Sequence, residues 1–221
     1  LTATANSNVA DDIMLTKIFI AKKVGNTTVK LGRQELPKSL SPLAFSEGWN
    51  VFKNTFDAIL AVNSDIPDTT LVGAYVGSSM GVMNSTANPA GNYTNSAGTA
   101  VTFSTYGMMH NTNAYMLTAQ NKSIPMTTIT ATYYDVVQAA QAMWLDVAVA
   151  GKDLPLGLKL GLQAGQLDPE VAVGPDTTTA YGAKLGLAPI EPVYLEVAYS
   201  SVNDGSMAVK NVGTGIKTPL F

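Results

Sequence analysis

The stretch that decides the fold is residues 27–54, TTVKLGRQELPKSLSPLAFSEGWNVFKN. Its first residues alternate, with Val29 and Leu31 on one side and Lys30 on the other, which predicts a β-strand. A segment with charges of both signs and two prolines follows, and the alternation resumes at Phe56. A charged loop between two strands can set up a local field across a constriction, as pores do. The stretch therefore predicts a hairpin whose loop narrows a channel.

The composition favours a β-rich protein with little charge on its surface. Of the 221 residues, 46% are apolar and only 13% are charged, against a usual charged share of about 25%. No apolar run reaches the ~18 residues that a transmembrane helix needs. Low charge without an apolar block is typical of a membrane β-barrel, in which lipid-facing residues alternate with wet ones. A soluble, secreted β-sandwich with a binding or surface role has a similar composition and is the alternative.

Cysteine content and net charge exclude several classes of function. The chain has no cysteine, which excludes disulfide scaffolds and thiolate metal sites or nucleophiles. Its net charge is −3, and no basic cluster is present, so nucleic acid is not expected as a partner.

Ten alternating segments follow one another along the chain. Their connections are short and long in turn, which is typical of outer-membrane barrels with short periplasmic turns and long external loops. The exception is 136–142, which is short where a long loop is expected and also fits a helix. The predicted strands are 13–23, 27–33, 56–63, 70–77, 113–120, 127–135, 143–150, 156–164, 179–187 and 193–201.

Charges fall opposite the apolar face in most of these strands. In a barrel this charged face would line a wet lumen, and in a sandwich it would face bulk water. Lys17 is an exception, because it shares the parity of Phe19. Aromatic residues near strand ends on the apolar face favour the barrel, because interface girdles are built in this way; they are Phe56, Tyr115, Tyr133, Tyr181 and Tyr199. The predicted pore-wall residues are Lys30, Asp57, Asp146, Lys159, Lys184 and Glu196.

Three segments together resemble a known family. They are GRQELPKSLSPLAFSEGWNVFKNTFDAILAVNSDIPDTTLVGAYVG (32–77), SIPMTTITATYYD (123–135) and YSSVNDGSMAVKNVGTGIKTPLF (199–221). They are similar to the epsilonproteobacterial outer-membrane porins of the major-outer-membrane-protein type, distant relatives of the Opr porins. The likeness is most specific from Gly32 to Phe56 and extends more loosely from about Ile13 to the C-terminus.

The resemblance implies an antiparallel transmembrane β-barrel that passes small hydrophilic solutes and ions by diffusion. It also implies a homotrimer in the bacterial outer membrane, in contact with lipid and lipopolysaccharide. In the family the loop after the Gly-Arg-Gln strand folds into the lumen. Carried over to this chain, the constriction residues would be Arg33, Glu35, Lys38 and Glu47. Arg33 has the parity of the apolar face, so a twist or bulge near Gly32 would have to turn it inward.

We therefore expect an all-β fold in which residues 1–221 form one barrel domain. Ten strands are fewer than the roughly 16–18 of a water-filled porin, so the chain would be the central part of a larger barrel. Residues 34–54 would be the constriction loop, in which Ser41-Pro42 is a candidate helix start. Residues 78–111 would be a long external loop.

Catalysis and cofactors are not expected. Gly77–Gly81 matches the G-x-S-x-G elbow of hydrolases, with His110 as the only histidine. The helix and the acidic residue that such an enzyme requires are missing from 82–109. A calcium ion bound by oxygen ligands in an external loop is the one cofactor alternative. The aspartates in turns that suggest it are Asp65, Asp68, Asp168, Asp176 and Asp204.

Overall fold

The computed structural model describes residues 15–48, 53–80, 93–94, 100–101, 113–137, 139–151, 153–170, 176–190, 192–213 and 217–221. Ten strands form one antiparallel sheet, and a separate two-stranded pair lies within the connection between β4 and β7. The strands are β1 (Ile18–Val24), β2 (Thr27–Gln34), β3 (Thr55–Asn63), β4 (Thr69–Met80), β5 (Tyr93–Thr94), β6 (Ala100–Val101), β7 (Ala114–Asn121), β8 (Thr127–Val136), β9 (Ala140–Ala150), β10 (Lys159–Pro169), β11 (Thr178–Ile190) and β12 (Val193–Val202).

The sheet is an up-and-down meander. Its order is β1-β2-β3-β4-β7-β8-β9-β10-β11-β12, so each strand pairs with its neighbours along the chain and β1 and β12 form the two edges. The predicted fold class is confirmed. Each of the ten predicted strands overlaps an observed one, but β1 begins at Ile18 and β10 runs from Lys159 to Pro169 in place of 156–164, because Pro155–Gly157 form a 3-10 turn. The segment 136–142 is not a helix, because β8 ends at Val136 and pairs directly with Ala140 of β9. Within the described residues no helix is long and apolar enough to cross a membrane.

Short and long connections lie at opposite ends of the sheet. The short-turn end carries the connections 25–26, 64–68, 122–126, 151–158 and 191–192, and the last but one contains a 3-10 turn at Pro155–Gly157. The long-connection end carries 35–54, 81–113, 137–139, 170–177 and the segment after β12. The predicted alternation is therefore present, with 137–139 as its short exception.

Two of the short turns repeat one design. The sequences NSDIPDTT (63–70) and NKSIPMTT (121–128) place Asn63 and Asn121 in the same position. Their side-chain amides donate to the threonine hydroxyls of Thr27 and Thr69 at 2.8 and 2.9 Å. These bonds satisfy polar groups where the ladders end, so they tie neighbouring hairpins together at the short-turn end.

The two faces of the sheet differ in what they meet. Residues 35–48, 203–213 and 217–221 pack against one of them, which we call the covered face. Its central part is apolar and buried, with Val72 and Trp144 exposed by only 1% and 2%. The opposite face, which we call the bare face, touches neither segment. It exposes large apolar side chains, among them Ile20 at 75%, Leu117 at 61% and Val197 at 65%.

Tyrosines cluster on the bare face toward the long-connection end. Tyr115, Tyr181 and Tyr199 are exposed by 51%, 54% and 61%, and Tyr133 lies on the same face beside Met143. Tyr75 stands opposite Tyr115, with their ring centroids 5.4 Å apart. This is the arrangement of an interface girdle, in which the ring is apolar and the hydroxyl is wet.

Strand β3 reverses the face predicted for it. Phe56, Ala58 and Leu60 are buried on the covered face at 1%, 5% and 7% exposure, whereas Asp57 and Ile59 have the parity of the bare face. Phe56 is therefore not a girdle residue, and Asp57 does not share the face of Lys30. The reason is that apolar residues of the loop cover this part of the sheet, so its apolar alternation reflects packing inside the protein.

An arginine on the bare face tests its contact with lipid. Leu145 and Ala148 lie on the same strand, β9, on the bare and covered face respectively, and both are exposed. We expect Leu145→Arg to lower the free energy of unfolding from a phospholipid bilayer by about 2–4 kcal/mol, because a charge enters hydrocarbon.

The matched control is Ala148→Arg, which adds the same charge to the covered face and should change the free energy of unfolding by about 0.5 kcal/mol or less. Equal losses in the two variants would show that the bare face does not meet lipid.

Candidate functional site

The loop between β2 and β3 lies across the covered face. Leu36 and Leu43 are 1% and 5% exposed and belong to the same apolar cluster as Phe56 and Val72 of the sheet. The burial of these side chains supplies the driving force that keeps the loop on the sheet instead of in solvent. Residues 35–48 of the predicted loop 34–54 therefore lie on the covered face of the sheet, while the inward path of the loop into a lumen and its role as a constriction stay predictions.

Polar contacts fix where the loop crosses the sheet. Thr118 Oγ1 of β7 donates to Leu40 O at 2.8 Å. Tyr134 of β8 is buried beneath the loop, where its hydroxyl lies 3.1 Å from Ser41 Oγ and accepts from Leu43 N at 3.2 Å. Pro37 O accepts from Ser41 N at 3.0 Å and closes one turn. Residues 41–48 contain no helix, so the predicted helix start at Ser41-Pro42 is not found in this described part.

The segment after β12 also folds onto the covered face. Its start is tied to β11, where Met207 N donates to Thr178 Oγ1 at 2.9 Å. It then meets the loop, with Val212 N donating to Leu43 O at 2.9 Å. Its end returns to strand β10, where Gln163 Nε2 donates to Pro219 O at 3.2 Å. Residues 203–213 and 217–221, which we call the tail, are thus a second element on this face.

Sequence reasoning missed the tail. Counting back by twos from Phe221 gives no apolar face, so the segment reads as a loop and nothing in it indicates which way it folds. The nearest signal lies in strands β10 and β11, where, along part of each strand, glycine occupies every second position of the covered face. Gly161 and Gly182 are two of these glycines. These glycines leave room for Phe221 and Leu220, because a Cβ at either position would crowd those side chains.

Lys38 is the charged group of the loop that faces the wall. Its Nζ lies 5.5 Å from the centroid of the Phe45 ring and donates to Thr218 O of the tail at 3.4 Å. Desolvation by the surrounding loop, tail and wall lowers the pKa of Lys38 below its ordinary value of 10.5, although the side chain keeps contact with solvent. Asp146 attracts the ammonium group, whereas Lys217 and Lys184 repel it.

The predicted wall residues other than Asp57 share the covered face. The register places Asp146 beside Gln163, and Gln163 Nε2 donates to Asp146 Oδ2 at 2.7 Å. Lys184 Nζ lies 3.8 Å from Glu196 Oε2 and 4.7 Å from the centroid of the Phe221 ring. Lys159 lies over Tyr194, with its Nζ 5.1 Å from the ring centroid. Lys30 is at the other side of the sheet, over Phe19 at 5.3 Å.

Arg33 does not turn toward the covered face. It pairs with Ile18 and Asp57 without a register shift, so the expected bulge at Gly32 is not present despite its φ of +124°. Arg33 Nε and Nη2 donate to the two oxygens of Asp57 at 2.8 and 2.9 Å. This bidentate pair lies at the long-connection end of the bare face, with the side chains 26% and 40% exposed. Its geometry is that of an anchor between β2 and β3.

The other two predicted constriction residues are held by neighbours. Glu35 lies between two lysines, with Lys17 Nζ 2.6 Å from Oε1 and Lys53 Nζ 2.9 Å from Oε2. Hydrogen bonds from Lys17 and then Lys53 lower the pKa of Glu35 below its ordinary 4.5. Glu47 is buried at 2% exposure between loop and tail, so its carboxylate does not face open space.

Enzyme and metal alternatives gain no support from the described residues. Ser79 lies within β4 in register with Phe56, whereas a hydrolase elbow requires a sharp turn there. His110 and most of the predicted loop 78–111 lie outside the described residues. In the described part of the chain no three His, Cys, Asp or Glu side chains come together as a metal site would require. Asp168 accepts from Gln166 and Thr177 within its own turn.

The fold is similar to solved structures of Occ (OprD-type) outer-membrane porins. OccK3 (OpdO) of Pseudomonas aeruginosa is 17% identical, with a TM-score of 0.65 over 84% of this chain and 47% of that chain. OccAB3 of Acinetobacter baumannii is 16% identical, with a TM-score of 0.68 over 91% of this chain and 48% of that chain. OccK8 (OprE) of Pseudomonas aeruginosa is 16% identical, with a TM-score of 0.61 over 85% and 50%.

These similarities show the fold, which is that of part of a porin β-barrel. The chain spans about half the length of the solved structures it matches. It matches no protein-family model and no curated protein sequence. The likeness is to outer-membrane porins of Pseudomonas and Acinetobacter, and it does not support the epsilonproteobacterial family that the sequence resembles.

The triad around Glu35 gives a prediction of pH-dependent stability. We expect Glu35→Gln to lose about 0.2–1 kcal/mol per ion pair at neutral pH, because both pairs are solvent-exposed. Since the pKa of Glu35 is lower in the folded protein, this contribution is present above the unfolded value near 4.5 and is lost as the pH falls through the folded value.

The measurement is thermal unfolding of the wild-type and Glu35→Gln proteins in detergent, from pH 7 down to pH 3. The gap between the two midpoints should be constant near neutrality and shrink in acid. A gap that stays constant to pH 3 would contradict the assigned role of Glu35.

Proposed function

We propose that the chain is part of an outer-membrane porin through which small hydrophilic solutes and ions diffuse. The single observation that carries the proposal is the position of Lys38, an exposed cation on the loop across the covered face. Its Nζ donates to Thr218 O, next to the Pro219 carbonyl that accepts from Gln163 of β10. An apolar face with a tyrosine girdle on one side and fixed charges on the other is what a water-filled membrane barrel requires. The similarity to porin structures supports the same function.

The alternative of a soluble β-sandwich is not favoured by this geometry. A sandwich buries two sheets against each other, whereas the ten long strands here belong to one sheet. Its bare face exposes Leu117, Val197 and many other apolar side chains, which a soluble monomer rarely does over so large an area. A lipid environment explains that face, and detergent-free solubility would contradict it.

The proposed filter contains fewer charged residues than the sequence predicts. Of the four predicted constriction residues, Lys38 is the one that is exposed to solvent and bonds to the tail. Asp146 and Glu47 attract its ammonium group, whereas Lys217 and Lys184 repel it; Lys184 is itself 3.8 Å from Glu196. We expect the positive charge of Lys38 to raise the permeability of the proposed filter to anions relative to cations.

Several finer features belong to the proposal and rest on the sequence resemblance. These are the likeness to the epsilonproteobacterial porins, a homotrimeric assembly, contact with outer-membrane lipid and lipopolysaccharide, and a barrel of roughly 16–18 strands. The mechanism is passive diffusion, with no catalytic step and no cofactor. A calcium ion in an external loop stays a prediction.

Removal of the Lys38 charge tests the filter directly. In planar bilayers with a salt gradient, we expect Lys38→Gln in the full-length protein to lower the anion-to-cation permeability ratio by about two- to fivefold. This range corresponds to one unit charge a few ångströms from the ion path in water, partly screened by salt.

The matched control is Lys53→Gln, which removes the same charge from the same loop. Lys53 is bound to Glu35, outside the group of charges that act on Lys38, so the permeability ratio should stay unchanged. Equal shifts in both variants, or no shift in either, would exclude Lys38 as the filter.

The lowered pKa of Lys38 predicts how selectivity depends on pH. Because desolvation favours the neutral amine, Lys38 should lose its charge at a pH below the ordinary 10.5. The anion-to-cation permeability ratio of the wild-type channel should therefore decline as the pH is raised from 7 toward 10. Reversal potentials of the Lys38→Gln channel should be flatter over that range, and identical curves would contradict the assignment.

A further inference from the structure

One buried asparagine joins the tail to the loop. Asn211 is fully buried, at 0% exposure. Its Oδ1 accepts from Phe45 N at 3.0 Å, and its Nδ2 donates to Phe45 O and to Glu47 Oε1, both at 2.8 Å. The side-chain amide thus pairs with both backbone groups of Phe45, as a neighbouring strand would. Only a carboxamide supplies the acceptor and the donors that this site uses.

A buried carboxylate completes the junction. Glu47 Oε1 also accepts from Lys217 N at 3.4 Å, while Glu47 N donates to Asn54 Oδ1 at 2.7 Å. Asn54 Nδ2 in turn donates to Phe45 O at 2.9 Å. A carboxylate buried among apolar groups costs several kcal/mol unless hydrogen bonds compensate it. We call Asn211, Glu47 and the backbone of Phe45 the clamp.

The tail has a fixed position on the wall. Phe221 lies against Gly161 and Leu220 against Gly182, where a Cβ would crowd them. Gln163 Nε2 donates to Pro219 O, and Thr218 O next to it accepts from Lys38 Nζ. The tail is therefore positioned by the same strands, β10 and β11, that carry the wall residue Lys184. The described hydrogen bonds of the loop on this side of the covered face are to the tail.

We propose that Asn211 is a positioning residue for the filter, acting through the clamp. Contacts with β10 and β11 hold the tail in place. The hydrogen bonds of the clamp then fix Phe45 and Glu47 of the loop relative to the tail. Lys38 packs on Phe45 and bonds to Thr218, so it depends on both partners of the clamp. This inference rests on the proposed function, because it assigns Asn211 a role in setting where the Lys38 charge lies.

The test is a double-mutant comparison in the full-length protein. Lys38→Gln is introduced into the wild type and into Asn211→Ala, and permeability ratios are measured in planar bilayers. With the clamp removed, we expect the effect of Lys38→Gln to fall from its two- to fivefold value to less than about 1.5-fold, because the ammonium group is no longer held at the ion path. We also expect larger single-channel conductance.

Asn203→Ala is the matched control. Asn203 is another asparagine of the tail, and its side chain bonds to Thr177 O and Thr179 N at 3.1 and 2.9 Å, away from the loop. In this background the effect of Lys38→Gln should be as large as in the wild type. A loss of the effect in both backgrounds would overturn the specific role of Asn211.

A rescue variant separates positioning from general stability. Asn211→Asp alone puts a second carboxylate beside Glu47 and removes both donations from Nδ2. Adding Glu47→Gln returns a donor to that contact, so the double variant should recover at least half of the Lys38 effect. Should Asn211→Ala yield no channels, Phe221→Ala provides the second test, since it frees the tail from Gly161 and should also weaken the Lys38 effect.

The outcomes distinguish the two proposals. If Lys38→Gln has no effect in the wild type, the proposed filter itself fails. If it has its full effect in the wild type and an equal effect in Asn211→Ala channels, the filter stands and the positioning role of Asn211 is overturned.

Discussion

Everything in this structure depends on the fact that a β-strand has only two faces. In a single sheet each side chain meets whatever lies on its own side, and neighbouring strands in register keep that choice from strand to strand. Ten paired strands, with register shifts only at Asp57/Ala58 and Leu187/Ile190, therefore build one bare face and one covered face. The backbone groups within the sheet are satisfied by pairing, so most of the bare face can be apolar, with the Arg33–Asp57 pair at its long-connection end. The covered face is left free to carry charge.

How much of this could be predicted from the sequence differs between the two halves of the sheet. In β9 to β12 the alternation of apolar residues with Asp146, Lys159, Lys184 and Glu196 predicts both the strands and their faces. In β3 the same rule fails, because Phe56 and Leu60 are covered by the loop. A two-residue period indicates that the two faces of a strand differ in polarity. It does not indicate which segment, solvent or lipid covers each face.

The candidate filter shows a second limit of sequence reasoning. Family resemblance singles out the loop, and the structure places it on the covered face. Some of the residues that bond to it, Asn211 and the rest of the tail, lie far along the chain in a stretch without periodicity. Their signal is spread over single polar contacts and over glycines on other strands, and no local pattern contains it. The sequence also predicts the wrong face for Arg33 and Asp57, because opposite charges at a strand end can join two strands as well as line a pore.

The clamp also has a consequence for the order in which the protein acquires its structure. Apart from β4 and β7, the strands that pair in the sheet are consecutive along the chain, so the sheet can grow hairpin by hairpin. The contact between Phe45 and Asn211 spans 166 residues and cannot form before the tail after β12 is in place. Contacts of high sequence separation form late and slowly. Within this part of the chain, the sheet would therefore form before the loop is fixed to the tail, and the proposed filter would take its final shape after the strands around it.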